Sequence, residues 1–385
     1  MLSSAAPVLP DGEEAGTLPD LVRFYRDFIT RMPTPFGDKK LLVSLPGSIR
    51  LQGANLPAGW EQCAFSLRPD IVDHSECLGF TGAVRAKGGI VVVDESLSAS
   101  SIDLMGLGNI IRVSLAGKTP PEIINIRKKF KELDCEFLAV DVNSWEAFEG
   151  TRALGFSYFQ GPFFAIPQMR DDMSLPASSV AKLQLLRELG NPDCEMEELA
   201  AIIASDVSLS YRILKYMNSA AMGMRNKIKS IQQAVSLLGL NDVRHWAMVV
   251  AMTDMDSSPK GEELAYISLQ RGRFLSKLAE SMKTIGHSSN TMFMLGLFSK
   301  LDAMLSCPMT KAMEDIPLDD ALRDALCGTL NEFRDWLLLL DAVEIGNWTI
   351  ANDILGRYGA CLTSAATQYM KAASWAARLL PEIKH

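Results

Sequence analysis

The order of apolar and polar residues divides the chain into a first half of short apolar runs and a second half of amphipathic helices. Helical stretches lie between several of the runs, notably at Ser75–Lys87 and Pro121–Leu133. Short apolar runs that alternate with helices are typical of parallel strands in an α/β layer or barrel. We therefore predict six strands, at Leu41–Ser44, Cys63–Leu67, Ile90–Val93, Ile110–Val113, Phe137–Val140 and Gly155–Phe159.

The stretch Glu198–Val250 has the clearest helical spacing in the chain. Ser208 is expected to cap a helix with apolar residues four positions apart, and Asn218-Ser219 to end it, because Asn tolerates the left-handed conformation. The segment Ser230–Gln233 has the residues of a capping box for the next helix. Asn241 is expected to cap the helix that follows. These segments predict a packed helical core.

Further helices are predicted at the start of that stretch and on both sides of it. The predicted helices are Leu18–Met32, Val180–Leu189, Leu199–Ala204, Glu262–Ile285, Asn290–Ser306, Leu318–Leu330, Glu332–Glu344, Thr349–Tyr358 and Leu362–Leu380. The polar, proline-bearing segment Asp171–Ala177 predicts a linker between the halves. The chain is accordingly divided into a flexible tail (1–17), an α/β domain (18–168), a linker (169–178) and an all-α domain (179–385).

The charge of the chain argues against a general nucleic-acid binder. The chain of 385 residues is 48% apolar, which supports two cores, and its net charge is −8. Basic residues gather locally at Arg212, Lys215, Arg225, Lys227 and Lys229. A solvated helix face explains this cluster better than a phosphate-binding patch does.

The cysteines and the apolar stretches indicate a soluble, cytoplasmic protein. The seven cysteines form no CxxC pair, which is typical of reduced thiols. Met1–Thr17 has no basic segment followed by an apolar one, so we expect no signal peptide there. The apolar stretches Trp246–Met252 and Trp336–Leu340 are too short to span a bilayer.

The segments around the predicted helical core resemble the HDOD domain, a helical signalling module related to the HD phosphohydrolases. The residues that carry this resemblance are Asp206, Leu209, Leu214, Asn218-Ser219, Ile228, Ile231, Ala234, Leu238-Gly239 and Arg244. They occur in the expected order over about fifty residues. One departure is Val207, where that family usually has a proline.

The end of the first half, Ala153–Pro167, has the sequence ALGFSYFQGPFFAIP. It resembles the closing strand and loop of EAL domains, the TIM-barrel-like phosphodiesterases that hydrolyse cyclic di-GMP. Three upstream segments also resemble EAL strands: GGIVVVDESLS, NIIRVSL and CEFLAVDVNSWEAFE. The resemblance covers roughly residues 20–168, without the first strand, and it implies an incomplete barrel. An EAL-like half followed by an HDOD half is a bacterial signalling arrangement.

The metal ligands that this resemblance implies are largely missing. EAL-type hydrolysis needs two divalent cations held by several carboxylates. The chain contains no Glu-Ala-Leu tripeptide. At the positions of the other ligands it has Asp94 followed by Glu95, then Arg112 and Ser114, then Val140 and Asn143 with Asp141 displaced by one residue. We therefore expect no metal, no cofactor and no catalysis.

The HD-type site is missing its histidines as well. None of the four histidines precedes an aspartate, and Ser299-Lys300 stands where the dipeptide of the related hydrolases would fall. His245 is interpreted as a packed or surface residue rather than a ligand. Asn218-Ser219 is interpreted as a helix terminus in preference to a ligand-binding pair.

Three functional hypotheses follow. The first is a non-enzymatic regulatory scaffold in bacterial signalling that binds other signalling proteins, with a homodimer along the open barrel edge as an option. The alternative is a cyclic di-GMP receptor without hydrolysis, for which Arg112, Gln160 and Phe163 are the candidate contacts. An active phosphodiesterase is the least favoured.

Overall fold

A computed structural model describes residues 41–45, 63–67, 74–99, 108–167, 177–191, 194–219, 222, 227–282, 286–314, 316 and 318–384. The chain divides into two compact units, Met1–Ile166 and Pro167–His385. The predicted tail 1–17, the predicted helix Leu18–Met32 and most of the predicted linker 169–178 lie outside the described residues.

The first unit contains a curled parallel sheet whose six strands are adjacent in chain order. Each strand pairs in parallel with the next along the chain. The strands are β1 (Leu41–Leu45), β2 (Cys63–Leu67), β3 (Ile90–Asp94), β4 (Ile110–Ser114), β5 (Glu136–Val140) and β6 (Tyr158–Phe159). All six predicted strands are present, but the sixth, predicted at Gly155–Phe159, contains only Tyr158 and Phe159, because Gly155 turns the chain with a φ of 83°. Sequential parallel order with a regular twist produces a half-barrel.

Helices cover one face of this sheet. They are α1 (His74–Ala86), α2 (Pro120–Lys129) and α3 (Trp145–Ala153), with 3-10 turns at Glu95–Ala99 and Pro162–Ala165. The larger apolar core of the unit involves this face, where Phe65 meets Phe80 edge-on with ring centroids 5.5 Å apart. The opposite face of the sheet carries a smaller cluster of buried residues: Leu42, Ala64, Val92, Ile110, Leu138 and Val140.

Because side chains alternate between faces along a strand, the smaller cluster determines which polar residues share its face. Asp94 follows Val92 by two positions, and Arg112 and Ser114 follow Ile110 by two and four. These three polar residues therefore extend the smaller face toward the carboxyl ends of the strands.

The second unit is helical throughout its described part. Its helices are α4 (Ala177–Gly190), α5 (Met196–Ser205), α6 (Val207–Met217), α7 (Ile231–Leu238), α8 (Leu240–Thr253), α9 (Pro259–Ser281), α10 (Ser289–Phe298), α11 (Leu301–Leu305), α12 (Met309–Ala312), α13 (Asp320–Leu326), α14 (Arg334–Ile345), α15 (Trp348–Arg357) and α16 (Leu362–Lys384). None of the described helices combines the length and the apolar content that crossing a bilayer requires.

Two of the predicted helix caps were wrong. The cap of α6 is Asp206 rather than Ser208, because Oδ1 of Asp206 accepts hydrogen bonds from the amides of Ser208 and Leu209, at 2.8 and 3.0 Å. Helix α8 begins directly after Gly239, whose φ of 88° suits glycine, so Asn241 lies inside the first turn. An aspartate and a serine two residues apart are equally suitable caps by type, and the sequence could not separate them.

The capping box predicted at Ser230–Gln233 is only partly present. The hydroxyl of Ser230 accepts a hydrogen bond from the amide of Gln233 at 3.2 Å, as expected. The side chain of Gln233, however, accepts from the amide of Lys229 at 3.0 Å instead of from Ser230. The hydrogen bond that the Gln233 side chain makes is thus shifted to an amide one residue before the one used in a standard capping box.

The predicted helix Asn290–Ser306 is two helices in the structure. Helix α10 ends at Phe298, and Lys300, with φ −127° and ψ 18°, departs from helical geometry before α11 begins. The hydroxyl of Ser299 donates to the carbonyl oxygen of Gly296 at 2.7 Å. A serine that bonds back to the preceding turn often bends a helix.

Helices α9 and α10 approach each other closely at two glycines. A Cβ on Gly296 would lie 2.5 Å from the carbonyl carbon of Arg271 and from the amide nitrogen of Gly272. A Cβ on Gly272 would lie 2.9 Å from the carbonyl oxygen of Phe293. Only glycine fits at these contacts between the two backbones.

All seven cysteines lie in the described part of the chain, and none of them forms a disulfide. Cys63, Cys77, Cys194 and Cys307 are buried, whereas Cys361 is exposed. Burial raises the pKa of the Cys135, Cys194, Cys307 and Cys327 thiols, which disfavours thiolate chemistry at these positions.

Candidate functional site

The carboxyl-terminal edge of the half-barrel brings together the residues that the sequence placed at metal-ligand positions. Asp94 ends β3 and pairs in register with Arg112 on β4. Nη1 of Arg112 lies 2.7 Å from Oδ2 of Asp94, and the Asp94 side chain is 8% exposed. Oδ1 of Asp94 accepts hydrogen bonds from the amide and the hydroxyl of Ser96, at 3.1 and 2.6 Å. Both oxygens of the carboxylate are therefore bonded within the protein.

The neighbouring charges at this edge are also paired. Nζ of Lys118 lies 2.8 Å from Oε1 of Glu95 and donates to the carbonyl oxygen of Ser114 at 2.8 Å. The hydroxyl of Ser114 donates to Oδ2 of Asp141 at 2.5 Å. Asp141 has a φ of 61°, a left-handed conformation that aspartate tolerates better than most residues.

Arg112, Gln160 and Phe163 were the candidate contacts for a cyclic dinucleotide. Arg112 is bonded to Asp94, and its side chain is 31% exposed. Gln160 follows β6 and has a half-buried side chain. Its backbone N–H donates to the carbonyl oxygen of Ala139 at 2.8 Å.

Phe163 lies inside an aromatic cluster at the end of the first unit. The ring is 9% exposed and stacks on Phe148 with centroids 4.6 Å apart and planes 12° apart. Trp145 meets the same ring edge-on at 5.3 Å. One face of Phe163 is thus already used for packing. Gly161, two residues before Phe163, packs directly against the backbone of Val142. A Cβ at position 161 would lie 2.2 Å from the carbonyl oxygen of Val142, so only glycine fits there.

In the part of the chain that the structure describes, no group of three or more His, Cys, Asp or Glu side chains is placed to hold a metal ion. At the half-barrel edge, Asp94 is held by Arg112 and Asp141 by Ser114. This arrangement can stabilise the edge, and it keeps the carboxylates engaged.

In the helical unit, the residues that carry the HDOD resemblance have structural roles. The side chain of Asn218 accepts from the amide of Ile228 at 2.8 Å, and it donates to the carbonyl oxygens of Ile228 and Leu214 at 2.9 and 2.7 Å. Both ends of the amide are used to fasten the segment after α6. Arg244 is 2% exposed and donates to the carbonyl oxygen of Cys194 at 3.0 Å.

One member of the basic cluster around α6, Arg212, forms an ion pair with an aspartate. Nη1 of Arg212 lies 2.8 Å from Oδ1 of Asp254, and Nζ of Lys182 lies 3.3 Å from Oδ2 of the same residue. Arg212 is therefore engaged in holding α4, α6 and α8 together. Lys215, Lys227 and Lys229 are exposed, and Arg225 lies outside the described residues.

His245 is packed in the helical core. It is 6% exposed, its ring stacks on Phe293 with centroids 3.7 Å apart, and Nε2 lies 2.8 Å from Oδ1 of Asn290. Burial lowers the pKa of His245 to about 4, so the imidazole is neutral at physiological pH. The neutral imidazole and the side-chain amide of Asn290 are therefore part of the packed helical core.

Ser299 and Lys300, which the resemblance sets against the HD dipeptide, adjoin a cluster of charges around the buried Arg271. Arg271 on α9 is 2% exposed and donates to Oγ of Ser299 at 3.2 Å and to Oδ1 of Asp341 at 2.7 Å. It also forms a bidentate pair with Glu344, in which Nε lies 2.6 Å from Oε1. Sequence reasoning missed this cluster.

The charges of this cluster come from two helices, α9 and α14, and from the turn that follows α10. Burial opposes the charge of Arg271, but the carboxylates of Glu344 and Asp341 outweigh it and raise the pKa of the guanidinium. Nζ of Lys300 lies 4.0 Å from Oδ1 of Asp341. Burial, and then the charge of Arg271, lower the pKa of the Lys300 ammonium. Two cations, Arg271 and Lys300, therefore lie beside the carboxylates of Asp341 and Glu344.

Comparison with known proteins identifies part of the helical unit. Residues 175–318 match the HDOD domain. The chain is 27% identical over 355 residues to YuxH, an uncharacterized protein of Bacillus subtilis, covering 91% of this chain and 81% of YuxH. It is 29% identical over 239 residues to the cyclic di-GMP phosphodiesterase CdgJ of Vibrio cholerae, covering 62% of this chain and 55% of CdgJ.

Among solved structures, an HDOD domain protein with unknown function from Geobacter sulfurreducens aligns with 54% of this chain and 73% of its own. The sequence identity is 18% and the TM-score is 0.27.

Proposed function

Because residues 175–318 form an HDOD domain, we propose that this chain is a non-catalytic signalling protein that acts by binding other proteins. The proposal includes an EAL-like origin for residues 18–168, based on the resemblance of Ala153–Pro167 and on the parallel half-barrel. In this proposal, the fold provides surfaces that bind other signalling proteins.

The observation that carries the proposal is the pairing of Asp94 with Arg112. A divalent cation needs carboxylate oxygens that can turn toward it, and both oxygens of Asp94 are already bonded. Binding a metal there would require the removal of Arg112 from a carboxylate that is nearly buried, and it would leave the guanidinium close to the metal. The electrostatic cost opposes this exchange.

The cluster around Arg271 supports the proposal independently. Asp341 and Glu344 contribute two carboxylates beside Ser299, and Arg271 binds both of them. Lys300 adds a second positive charge nearby. A cation bound by these carboxylates would lie close to two positive charges, which opposes its binding.

The similarity to CdgJ supports a role in cyclic di-GMP signalling as part of this proposal. CdgJ is named as a phosphodiesterase, and the match spans 55% of its length at 29% identity. We therefore propose the same signalling context for this chain without the same chemistry.

Incubation of the purified full chain with labelled cyclic di-GMP and either Mg²⁺ or Mn²⁺ tests the proposal. We expect no linear product above the amount formed without protein, because the required carboxylates are bonded to arginine and serine. The matched control is Asp94→Asn, which we expect to be equally inactive. Cleavage that depends on the metal and is lost in Asp94→Asn would show that the protein is a phosphodiesterase.

The second candidate function is binding of cyclic di-GMP without cleavage. The CdgJ similarity favours it, and Arg112, Gln160 and Phe163 are its candidate contacts. The present contacts of Arg112 with Asp94 and of Phe163 with Phe148 oppose it, since both side chains would have to change partners. Saturable binding of the nucleotide in the same incubation, weakened in Arg112→Met and without product, would favour the receptor.

A further inference from the structure

One stretch of the helical unit carries positive charge without any negative charge. Residues 207–241, from the start of α6 into the first turn of α8, contain five basic residues and no acidic one. The basic residues are Arg212, Lys215, Arg225, Lys227 and Lys229. Because the whole chain has a net charge of −8, this stretch differs in sign from the remainder of the chain. A local excess of one sign on a surface favours a partner of the opposite sign.

The side chain of Asn218 brings part of this stretch to the end of α6. Its amide group bonds both the N–H and the carbonyl oxygen of Ile228, at 2.8 and 2.9 Å, and the carbonyl oxygen of Leu214 at 2.7 Å. The backbone around Ile228 is therefore held beside the last turn of the helix. Three lysines are direct neighbours of these two bonded residues: Lys215, Lys227 and Lys229.

The three lysine side chains are exposed, and two of them have no carboxylate partner. Among the described residues, the ion pairs around α6 use Lys182 and Arg212, and none of them includes Lys227 or Lys229. Like charges that the backbone holds near one another repel. The carboxylates of a partner would remove this repulsion, which favours binding.

The backbone of this segment favours carboxylates over a phosphate group as the ligand. Proteins usually hold a phosphate with free backbone N–H groups or with the forked guanidinium of arginine. Here the N–H of Ile228 donates to Asn218, and the N–H of Lys229 donates to Oε1 of Gln233 at 3.0 Å. The guanidinium of Arg212 is used in an ion pair. The remaining groups are lysine ammonium groups, which act as point charges.

An exposed aromatic side chain lies on the same helix. Tyr211 is 61% exposed, and Nζ of Lys215 lies 6.0 Å from the centroid of its ring. The two residues are four positions apart, so they share one side of α6. Tyrosine is enriched in protein interfaces, where its ring adds apolar contact area. We call the surface formed by Tyr211, Lys215, Lys227 and Lys229 the α6 basic surface.

We propose that the α6 basic surface docks an acidic segment of a partner protein, with aspartate or glutamate opposite the lysines and an apolar residue against Tyr211. This inference rests on the proposed function and names the partner chemistry of one surface. Nucleic acid is a poorer occupant, because the acidic remainder of the chain repels a long phosphate backbone. Ion pairs on an exposed surface are screened by salt, so the binding weakens as the salt concentration rises.

Fluorescence anisotropy with designed peptides tests this proposal on the full chain. The probe is a labelled peptide of glutamate and leucine, and its counterpart has glutamine in place of glutamate. We expect saturable binding of the glutamate peptide only. The double variant Lys227→Gln with Lys229→Gln is expected to weaken that binding about fivefold, because it removes two exposed ion pairs with the peptide.

Attraction between the net charges of the two molecules does not explain such binding, because the protein and the probe are both negative. The matched control is Lys128→Gln with Lys131→Gln, which changes the net charge by the same amount at two exposed lysines of the first unit. Those lysines have acidic neighbours in the chain, Glu132 and Asp134. The control is expected to bind the probe like the unmodified protein. Urea unfolding of each variant verifies that it is folded.

Several outcomes would overturn the proposal. These are equal binding of the two peptides, unchanged binding by the double variant at Lys227 and Lys229, and an equal loss in the control. Displacement of the probe by cyclic di-GMP or by an oligonucleotide, at a lower concentration than by the unlabelled peptide, would assign the lysines to phosphates. A dimer in sedimentation velocity that the double variant dissociates would assign the surface to a second copy.

The two proposals can fail separately. The glutamine substitutions leave Asp94 intact, so the result of the cyclic di-GMP incubation does not depend on them. Metal-dependent cleavage would contradict the proposed function and leave the peptide result unchanged. Absence of peptide binding would contradict the docking surface and leave the cleavage result unchanged.

Discussion

Replacement of Arg271 by methionine is expected to lower the free energy of unfolding by about 2–3 kcal/mol, because the carboxylates of Glu344 and Asp341, which are 25% and 53% exposed, lose their charged hydrogen-bond partner. The guanidinium is 2% exposed and joins α9 to α14 through both carboxylates. Arg271 lies within the HDOD match, whereas Asp341 and Glu344 lie beyond it. The ion pairs therefore fasten the last helices to the HDOD domain. Urea denaturation followed by circular dichroism measures the loss.

Arg244→Met is the matched control for this prediction. Arg244 is also 2% exposed, but its described hydrogen bond goes to a backbone carbonyl, that of Cys194, and its buried Nε has no partner. Its replacement removes a buried charge together with one hydrogen bond, so we expect a loss of only about 1 kcal/mol. Equal losses in the two variants would mean that the carboxylate pairs of Arg271 are not what stabilises this region.

Gly296→Ala is expected to lower the free energy of unfolding by about 2–3 kcal/mol through overpacking. The added Cβ would lie 2.5 Å from backbone atoms of Arg271 and Gly272, so α9 and α10 would have to separate. Backbone atoms cannot rotate away as the end of a flexible side chain can. The shift of the urea midpoint at constant slope gives the value.

Gly356→Ala is the control for Gly296→Ala. Gly356 lies in α15, and a Cβ placed there would meet no atom within 4 Å. Alanine is favoured over glycine in a helix, so this variant should be as stable as the parent or more stable by up to about 1 kcal/mol. A destabilisation as large as that of Gly296→Ala would contradict the steric explanation.

The strands and most helices could be predicted because they depend on local pattern. Each strand is a short apolar run, and the parallel order follows from the helices between them. The division of Asn290–Ser306 into two helices could not be predicted, since its apolar residues continue through Ser299 and Lys300. The break depends on a hydroxyl that bonds back to Gly296 and on the charges around it.

The candidate sites could be predicted less well, because they depend on contacts between distant residues. The sequence identified Asp94 as a remaining carboxylate of the EAL ligand set and Arg112 as a departure from it, but their ion pair depends on strand register. Arg271 and Glu344 are 73 positions apart, and no local pattern joins them. One signal was available: Arg271 lies four residues after Ile267 and three before Phe274, which is the spacing of one apolar helix face. A charged residue at a core position needs a partner, and a search for that partner could have led to α14.

We propose that Arg112 and Arg271 hold carboxylates that a metal would need. Titration of the full chain with Mn²⁺, followed by the electron paramagnetic resonance signal of the free ion, tests this claim at Asp94. We expect the unmodified protein and Asp94→Asn to give the same curve, without a micromolar site. A micromolar Mn²⁺ site that Asp94→Asn removes would contradict the claim, because it would show that the metal displaces Arg112 from the carboxylate.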